Sequence, residues 1–132
     1  MAIVGIGTDR VVIARIASSI ERFGDRFIQR VYTAAEIDQA RAKGNVARRL
    51  AMLFAAKEAA SKALGTGFRH GIRLQDIETI HQSSGKPEIT LHGVAASMAA
   101  SLGIKTVHLS LTDDDGIAMA FAIAEGGHHA HA

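Results

Sequence analysis

The chain has 132 residues, 48% hydrophobic and 21% charged, and its 15 Lys and Arg against 13 Asp and Glu leave a net charge of +2. That is one domain's worth of protein, able to bury roughly two-thirds of its unfolded surface, while the mild charge, 5% aromatic content and lack of Trp argue against a nucleic-acid partner. Cysteine is absent and no apolar run reaches the roughly 18 residues of a membrane span, so disulfides, thiolate metal sites and a membrane role are set aside and a cytoplasmic location is expected.

Ile3 to Thr8, apolar and β-branched around Gly5 and Gly7, reads as a buried strand that ends at Asp9. It is short and has no basic lead-in, so it is not a signal peptide. Ile13, Ile16, Ile20 and Phe23 then recur at helical spacing. Gly24 interrupts, and a second amphipathic stretch carries Phe27, Ile28 and Val31. Thr33-Ala34-Ala35-Glu36 has the form of a capping box, which predicts a short helix broken at Gly44-Asn45. Val46 to Leu64 is rich in Ala and Leu and free of Gly and Pro. It predicts the longest helix, stopped by Gly65-Thr66-Gly67.

Arg73 to His81 and Glu88 to Leu91 read as strands joined by the turn Ser83-Ser84-Gly85-Lys86-Pro87. A helix over Val94 to Leu102 ends at Gly103, and Thr106 to Thr112 and Ile117 to Ala124 are closing strands around Asp113-Asp114-Asp115-Gly116. Ala118 to Ala124 is apolar at nearly every position, compatible with burial on both faces. The expected class is α+β: a small antiparallel sheet with a long central helix and shorter helices packed on it. Residues 1–125 read as a single domain, and 126–132 as a disordered tail bearing His128, His129 and His131. His70, His81, His92 and His108 are scattered and read as surface or satisfied interior.

Three residues stand out chemically. Asp9 exposes a carboxylate after a buried run, although taken alone it suits a turn. Glu58 sits in the apolar middle of the long helix beside Lys57, with Lys62 one turn later on the same face. In isolation Glu58 and Lys62 suit a surface ion pair worth a few tenths of a kcal/mol. Their neighbours Phe54, Ala55, Ala56, Ala59, Ala60, Ala63 and Leu64 imply packing, where charges need partners. From Arg10 to Arg30 five arginines face only Glu21 and Asp25, a locally basic end suited to an acidic partner.

Gly5-Ile6-Gly7-Thr8-Asp9, the block from Phe54 to Gly67 and Ser84-Gly85-Lys86-Pro87, with Arg26-Phe27, Tyr32-Thr33 and Glu36 between, follow one another in a pattern that covers residues 3 to 124. That pattern resembles the small holo-(acyl carrier protein) synthases of the 4′-phosphopantetheinyl transferase superfamily. The resemblance implies transfer of 4′-phosphopantetheine from coenzyme A to a serine of apo-acyl carrier protein, in fatty acid biosynthesis. A non-catalytic coenzyme-binding module of the same fold is the alternative. It further implies Mg²⁺ held by Asp9 and Glu58, with Asp9, Glu58 and Lys62 as the catalytic set. Lys57, Ser61, Lys62, Gly65, Thr66, Gly67, Gly85, Lys86 and Pro87 would contact the coenzyme. Arg15, Arg22 and Arg26, at intervals of seven and four, would dock the carrier if Gly24 leaves the helical path unbroken, and the assembly would be a homotrimer. The chain departs from the pattern at Leu53, where the family usually has arginine, at Arg10 and Val12, and at Thr112-Asp113, where many members have Ser-His.

Overall fold

The computed structural model describes residues 1–127. Strand β1 (Ala2–Val12) runs directly into helix α1 (Ile13–Phe23), and Gly24, at φ 57°, turns the chain into α2 (Asp25–Val31). Helices α3 (Ala34–Lys43) and α4 (Val46–Ala63) follow. A 3₁₀ turn at Leu74–Asp76 leads to β2 (Ile77–His81), β3 (Pro87–Leu91), α5 (Gly93–Ser101), β4 (Ile104–Asp114) and β5 (Ile117–Gly126). The class is α+β as expected, with the strands divided between an antiparallel sheet in the order β1-β5-β4 and a separate β2-β3 hairpin.

The long helix lies directly on the three-stranded sheet because both surfaces are nearly free of side chain. A Cβ placed on Gly5 would come within 1.9 Å of the carbonyl oxygen of Ala63, and one on Gly7 within 1.9 Å of that of Ala59. Opposite them, β5 offers Ala118, Ala120, Ala122 and Ala124, all buried, as are Ala55, Ala59, Ala60 and Ala63 of α4. Alanine has no rotamers to lose on burial and lets backbones approach. A second core cluster forms where α1, α2 and α3 close over the first half of α4, around Ile16, Ile28, Tyr32 and Leu50.

Sequence reading and structure part company at strand ends. β1 does not stop at Thr8. Asp9 pairs with Ala120, and the ladder continues to Val12 opposite Ile117. An available partner strand overrides the weak strand preference of Asp9. Arg73 to Asp76 is not strand, because the Asp76 carboxylate accepts the Arg73 backbone N–H at 3.0 Å and closes a 3₁₀ turn there. The capping box is present: Thr33 Oγ1 accepts from the Glu36 N–H at 3.2 Å, and Glu36 Oε1 accepts from the Thr33 N–H at 3.0 Å. β5 is buried on its alanine face only, since Met119 and Phe121 on the other face are exposed. Gly126 is the last residue of β5, and the His128, His129 and His131 cluster lies outside the described residues.

Arg48, in the first turn of α4, donates from Nε and Nη2 to the two carboxylate oxygens of Asp113 at 2.9 and 2.7 Å. These hydrogen bonds hold the Asp113 carboxyl below the usual aspartate range. Their contribution is therefore present above that range and fades as pH falls through the lowered value. By NMR titration, Arg48→Ala is expected to return the Asp113 carboxyl upward; an unmoved titration would mean the pair is not formed in solution. Gly5→Ala, whose new methyl has no room against the Ala63 carbonyl, is expected to cost at least about 2 kcal/mol in urea unfolding, and an unchanged midpoint would contradict the close packing.

Candidate active site

The tight seating of α4 on β1 delivers three charged side chains to one place. Lys62 Nζ donates to Asp9 Oδ1 at 3.0 Å and to the Thr8 carbonyl at 2.9 Å, crossing from helix to strand. The surface ion pair weighed between Glu58 and Lys62 is not what forms, because Lys62 turns to Asp9. Glu58, one turn before Lys62 on the same helix face, has its carboxyl pushed above the usual glutamate range. Burial is the main cause, the Asp9 carboxylate adds to it and Lys62 opposes it. Two neighbouring carboxylates against one ammonium leave an excess of negative charge on hard oxygen donors. Among the described residues no group of three or more His, Asp or Glu gathers. Magnesium commonly takes one or two carboxylates and completes its shell with phosphate and water, so Asp9 and Glu58 fit that ion.

The acid pair stands between two clefts. Asp9 and Lys62 line one of about 440 Å³ together with Thr8, Arg10, Met119 and Phe121. Glu58 lines the other, about 610 Å³, with Arg30, Phe68, Ile72, Arg73, Leu74 and Gln75. Such a centre can serve two substrates approaching from different sides. Phe68 and Arg73 escaped the sequence reading, and Arg30 entered it only as part of the basic end, because the three belong to separate elements that only the fold brings together.

The register of α4 corrects two expected coenzyme contacts. Lys57 and Ser61 are a turn apart like Glu58 and Lys62, but on the inner face. Lys57 is fully buried, and its Nζ donates to Glu36 Oε1 at 2.7 Å and to the carbonyls of Leu74 and Ile77 at 3.0 and 2.7 Å. Burial lowers the Lys57 pKa and Glu36 works against that. Glu36 is also wholly buried and accepts the Thr79 N–H at 2.9 Å on its second oxygen. Ser61 is buried with its Oγ donating to the Glu58 carbonyl at 2.7 Å. All donors of Lys57 and the hydroxyl of Ser61 are committed inside the protein, so neither faces a cleft.

Gly65 and Gly67 adopt φ of 83° and 59° where the helix ends, and the N–H groups of Thr66 and Gly67 bond back to the Ser61 carbonyl. Gly85, Lys86 and Pro87 sit at the tip of the β2-β3 hairpin, with Gln82 N–H donating to the Lys86 carbonyl at 2.9 Å. Neither segment lines the two clefts of this chain. Arg15, Arg22 and Arg26 are all exposed. The shared helical path expected for them is broken at Gly24, which leaves Arg15 and Arg22 on α1 and Arg26 on α2. Leu53, the departure beside Phe54, is a buried core residue, and Asp113 is engaged by Arg48.

Removing Lys57 strands a buried carboxylate. Lys57→Met is expected to lower the unfolding free energy by about 3–5 kcal/mol, read by chemical denaturation; near wild-type stability would show that the pair does not close this part of the core.

The family model of the 4′-phosphopantetheinyl transferase superfamily matches residues 5–122. A holo-[acyl-carrier-protein] synthase of Solibacter usitatus is 50% identical over 123 residues, which is 93% of this chain and 98% of the relative. The crystal structure of the holo-[acyl-carrier-protein] synthase of Neisseria meningitidis superimposes with a TM-score of 0.87 at 37% identity, covering 94% of this chain and 99% of that one. The Helicobacter pylori synthase, solved in complex with coenzyme A, gives 0.81 at 31% identity over 91% of this chain and 99% of its own.

Proposed function

This chain belongs to the 4′-phosphopantetheinyl transferase superfamily, and on that premise we propose a division of labour among its site residues. The enzyme transfers 4′-phosphopantetheine from coenzyme A to a serine of apo-acyl carrier protein, giving holo-acyl carrier protein and 3′,5′-ADP. The observation that carries the assignment of roles is the 3.0 Å contact of Lys62 with Asp9 beside the half-buried Glu58 carboxyl.

Asp9 and Glu58 would hold Mg²⁺, which when bound supplies charge neutralisation for the pyrophosphate. Lys62 fixes the rotamer of Asp9 and keeps a cation where the leaving phosphate carries its charge. Burial makes Glu58 a stronger base than an exposed glutamate, and it takes the serine proton directly or through water. The hydroxyl oxygen attacks the β-phosphorus, and 3′,5′-ADP departs with the bonding pair. Gly65, Thr66 and Gly67 at the helix end and Gly85, Lys86 and Pro87 at the hairpin tip serve the nucleotide portion of the coenzyme.

The assembly we propose is a homotrimer with sites between subunits. The outer face of the β1-β5-β4 sheet leaves Ile6 56% and Phe121 45% exposed, with Met119 beside them. Phe121 and Met119 also line the Asp9 cleft, so a neighbour covering this face would wall the site, which supports the reading. Arg15, Arg22 and Arg26 dock the carrier, and the enzyme works in the cytoplasm for fatty acid synthesis. Among the described residues no helix is long and apolar enough to cross a membrane.

Intact-mass spectrometry of a bacterial apo-acyl carrier protein, incubated with this protein, coenzyme A and Mg²⁺, is expected to register a phosphopantetheine adduct that a chelator suppresses. Asp9→Ala and Glu58→Ala should reduce transfer on the order of a thousandfold or more with circular dichroism unchanged. Lys62→Ala should also cripple it. Normal turnover and magnesium dependence in Asp9→Ala would overturn the metal assignment, and no adduct from folded wild type on several carriers would favour a non-catalytic coenzyme-binding module.

A further inference from the structure

Arg10 is one of the positions where the chain departs from the family pattern, and no role has fallen to it so far. Side chains alternate along β1, so Gly5, Gly7 and Asp9 turn toward α4 and Arg10 turns to the outer face of the sheet. Its strand partner there is Met119. That face is otherwise apolar, with Ile6, Val12, Met119 and Phe121 all exposed on it. Arg10 itself is exposed and has no carboxylate within 4.0 Å among the described residues. The nearby carboxylates are taken or distant. Asp9 is held by Lys62 at 3.0 Å and Asp113 by Arg48 at 2.7 Å. Glu125 meets His108 at 2.9 Å at the other end of the sheet. Asp114 stands two strands away, opposite Ile117, which in turn pairs with Val12. A guanidinium on an apolar face that a neighbouring subunit covers needs an anion from elsewhere.

The lining of the Asp9 cleft shows what kind of anion suits it. Arg10 and Lys62 both line this space of about 440 Å³, and Thr8, Ser110 and Thr112 add three hydroxyl groups. Asp9 is the one carboxylate among the lining residues. Two cations and three hydroxyls offer more donors than a single carboxylate can accept. They suit an anion with many oxygens spread over several ångströms, and coenzyme A brings a pyrophosphate and a 3′-phosphate. A guanidinium, with five N–H donors in a planar fork, pairs with two phosphate oxygens at once.

We propose that Arg10 is a phosphate-binding residue for coenzyme A, a second cation beside Lys62 in the Asp9 cleft. The inference rests on the coenzyme half of the transfer reading above and adds to it a contact peculiar to this chain.

Calorimetric titration of coenzyme A into the full chain with Mg²⁺, without carrier protein, tests it apart from turnover. Arg10→Ile, whose β-branched side chain suits the strand, should weaken the Kd about tenfold. The KM for coenzyme A should rise in step, with the KM for the carrier within about twofold of wild type. Arg10→Lys should recover part of the loss, because it restores the charge but not the fork. Lys105→Ala, which removes an exposed cation outside the cleft, should change neither constant. With 3′-dephospho-coenzyme A, a penalty that persists in Arg10→Ile assigns the guanidinium to the pyrophosphate, and one that vanishes assigns it to the 3′-phosphate; both support the proposal. Unchanged coenzyme affinity in Arg10→Ile would overturn it. So would an Arg10→Ile assembly that light scattering finds dissociated, which would assign the counter-anion to a neighbouring copy. A wild type that binds coenzyme A but modifies no carrier would overturn the transfer step alone, whereas one that binds no coenzyme A would overturn both.

Discussion

Helix α4 rests on β1 with the carbonyl oxygens of Ala59 and Ala63 in the space that Cβ atoms of Gly5 and Gly7 would occupy. No bulky side chain separates the two backbones, so the helix flank lies close enough to the strand for Lys62 to reach across to Asp9 and Thr8. Alanines on β5 continue the same surface. Each small residue removes little apolar area from water at about 25 cal/mol per Å², but none loses side-chain entropy, and together they fix the helix position within narrow limits. A single methyl at either glycine requires the helix to move, and Glu58 and Lys62 would move with it.

The second constraint is rotational. Lys57 and Ser61 share one face of α4, Glu58 and Lys62 the adjoining one. The buried Lys57–Glu36 pair locks the first face inward by joining α4 to α3, to the 3₁₀ turn and to β2. A buried ion pair is not by itself a source of net stability. Here it defines which way the helix is turned, and consequently which charges are presented to the clefts. The same tie holds the Leu74 and Ile77 backbone in place, and with it the wall that carries Arg73.

Much of this was legible in the residues. The capping box at Thr33, the Gly24 and Gly44 breaks and the bounds of α4 follow from local chemistry, and they appear within a residue or two. Strand ends were less legible: whether Asp9 to Val12 pair depends on the length of β5, more than a hundred residues away. Asp9, Glu58 and Lys62 were visible as a pattern, and the fold brings them together. The coenzyme role expected for Lys57 came from the family resemblance, and equal four-residue spacings of 57 with 61 and 58 with 62 do not say which pair points inward. Its partner Glu36 already had an explanation as a helix cap. The Arg48–Asp113 pair spans 65 positions, and Arg30 meets Arg73 only through the cleft. Local patterns cannot register convergence of that kind.

The backbone contact at Gly7 positions Asp9 against the Glu58–Lys62 face. It is tested most directly by the turnover of folded Gly7→Ala protein, with the folded fraction fixed by circular dichroism in the same sample. A displacement near 1 Å at a reacting centre can cost on the order of a hundredfold in rate. A loss of at least that size per folded molecule is expected. Folded Gly7→Ala protein that modified apo-acyl carrier protein at the wild-type rate would contradict it.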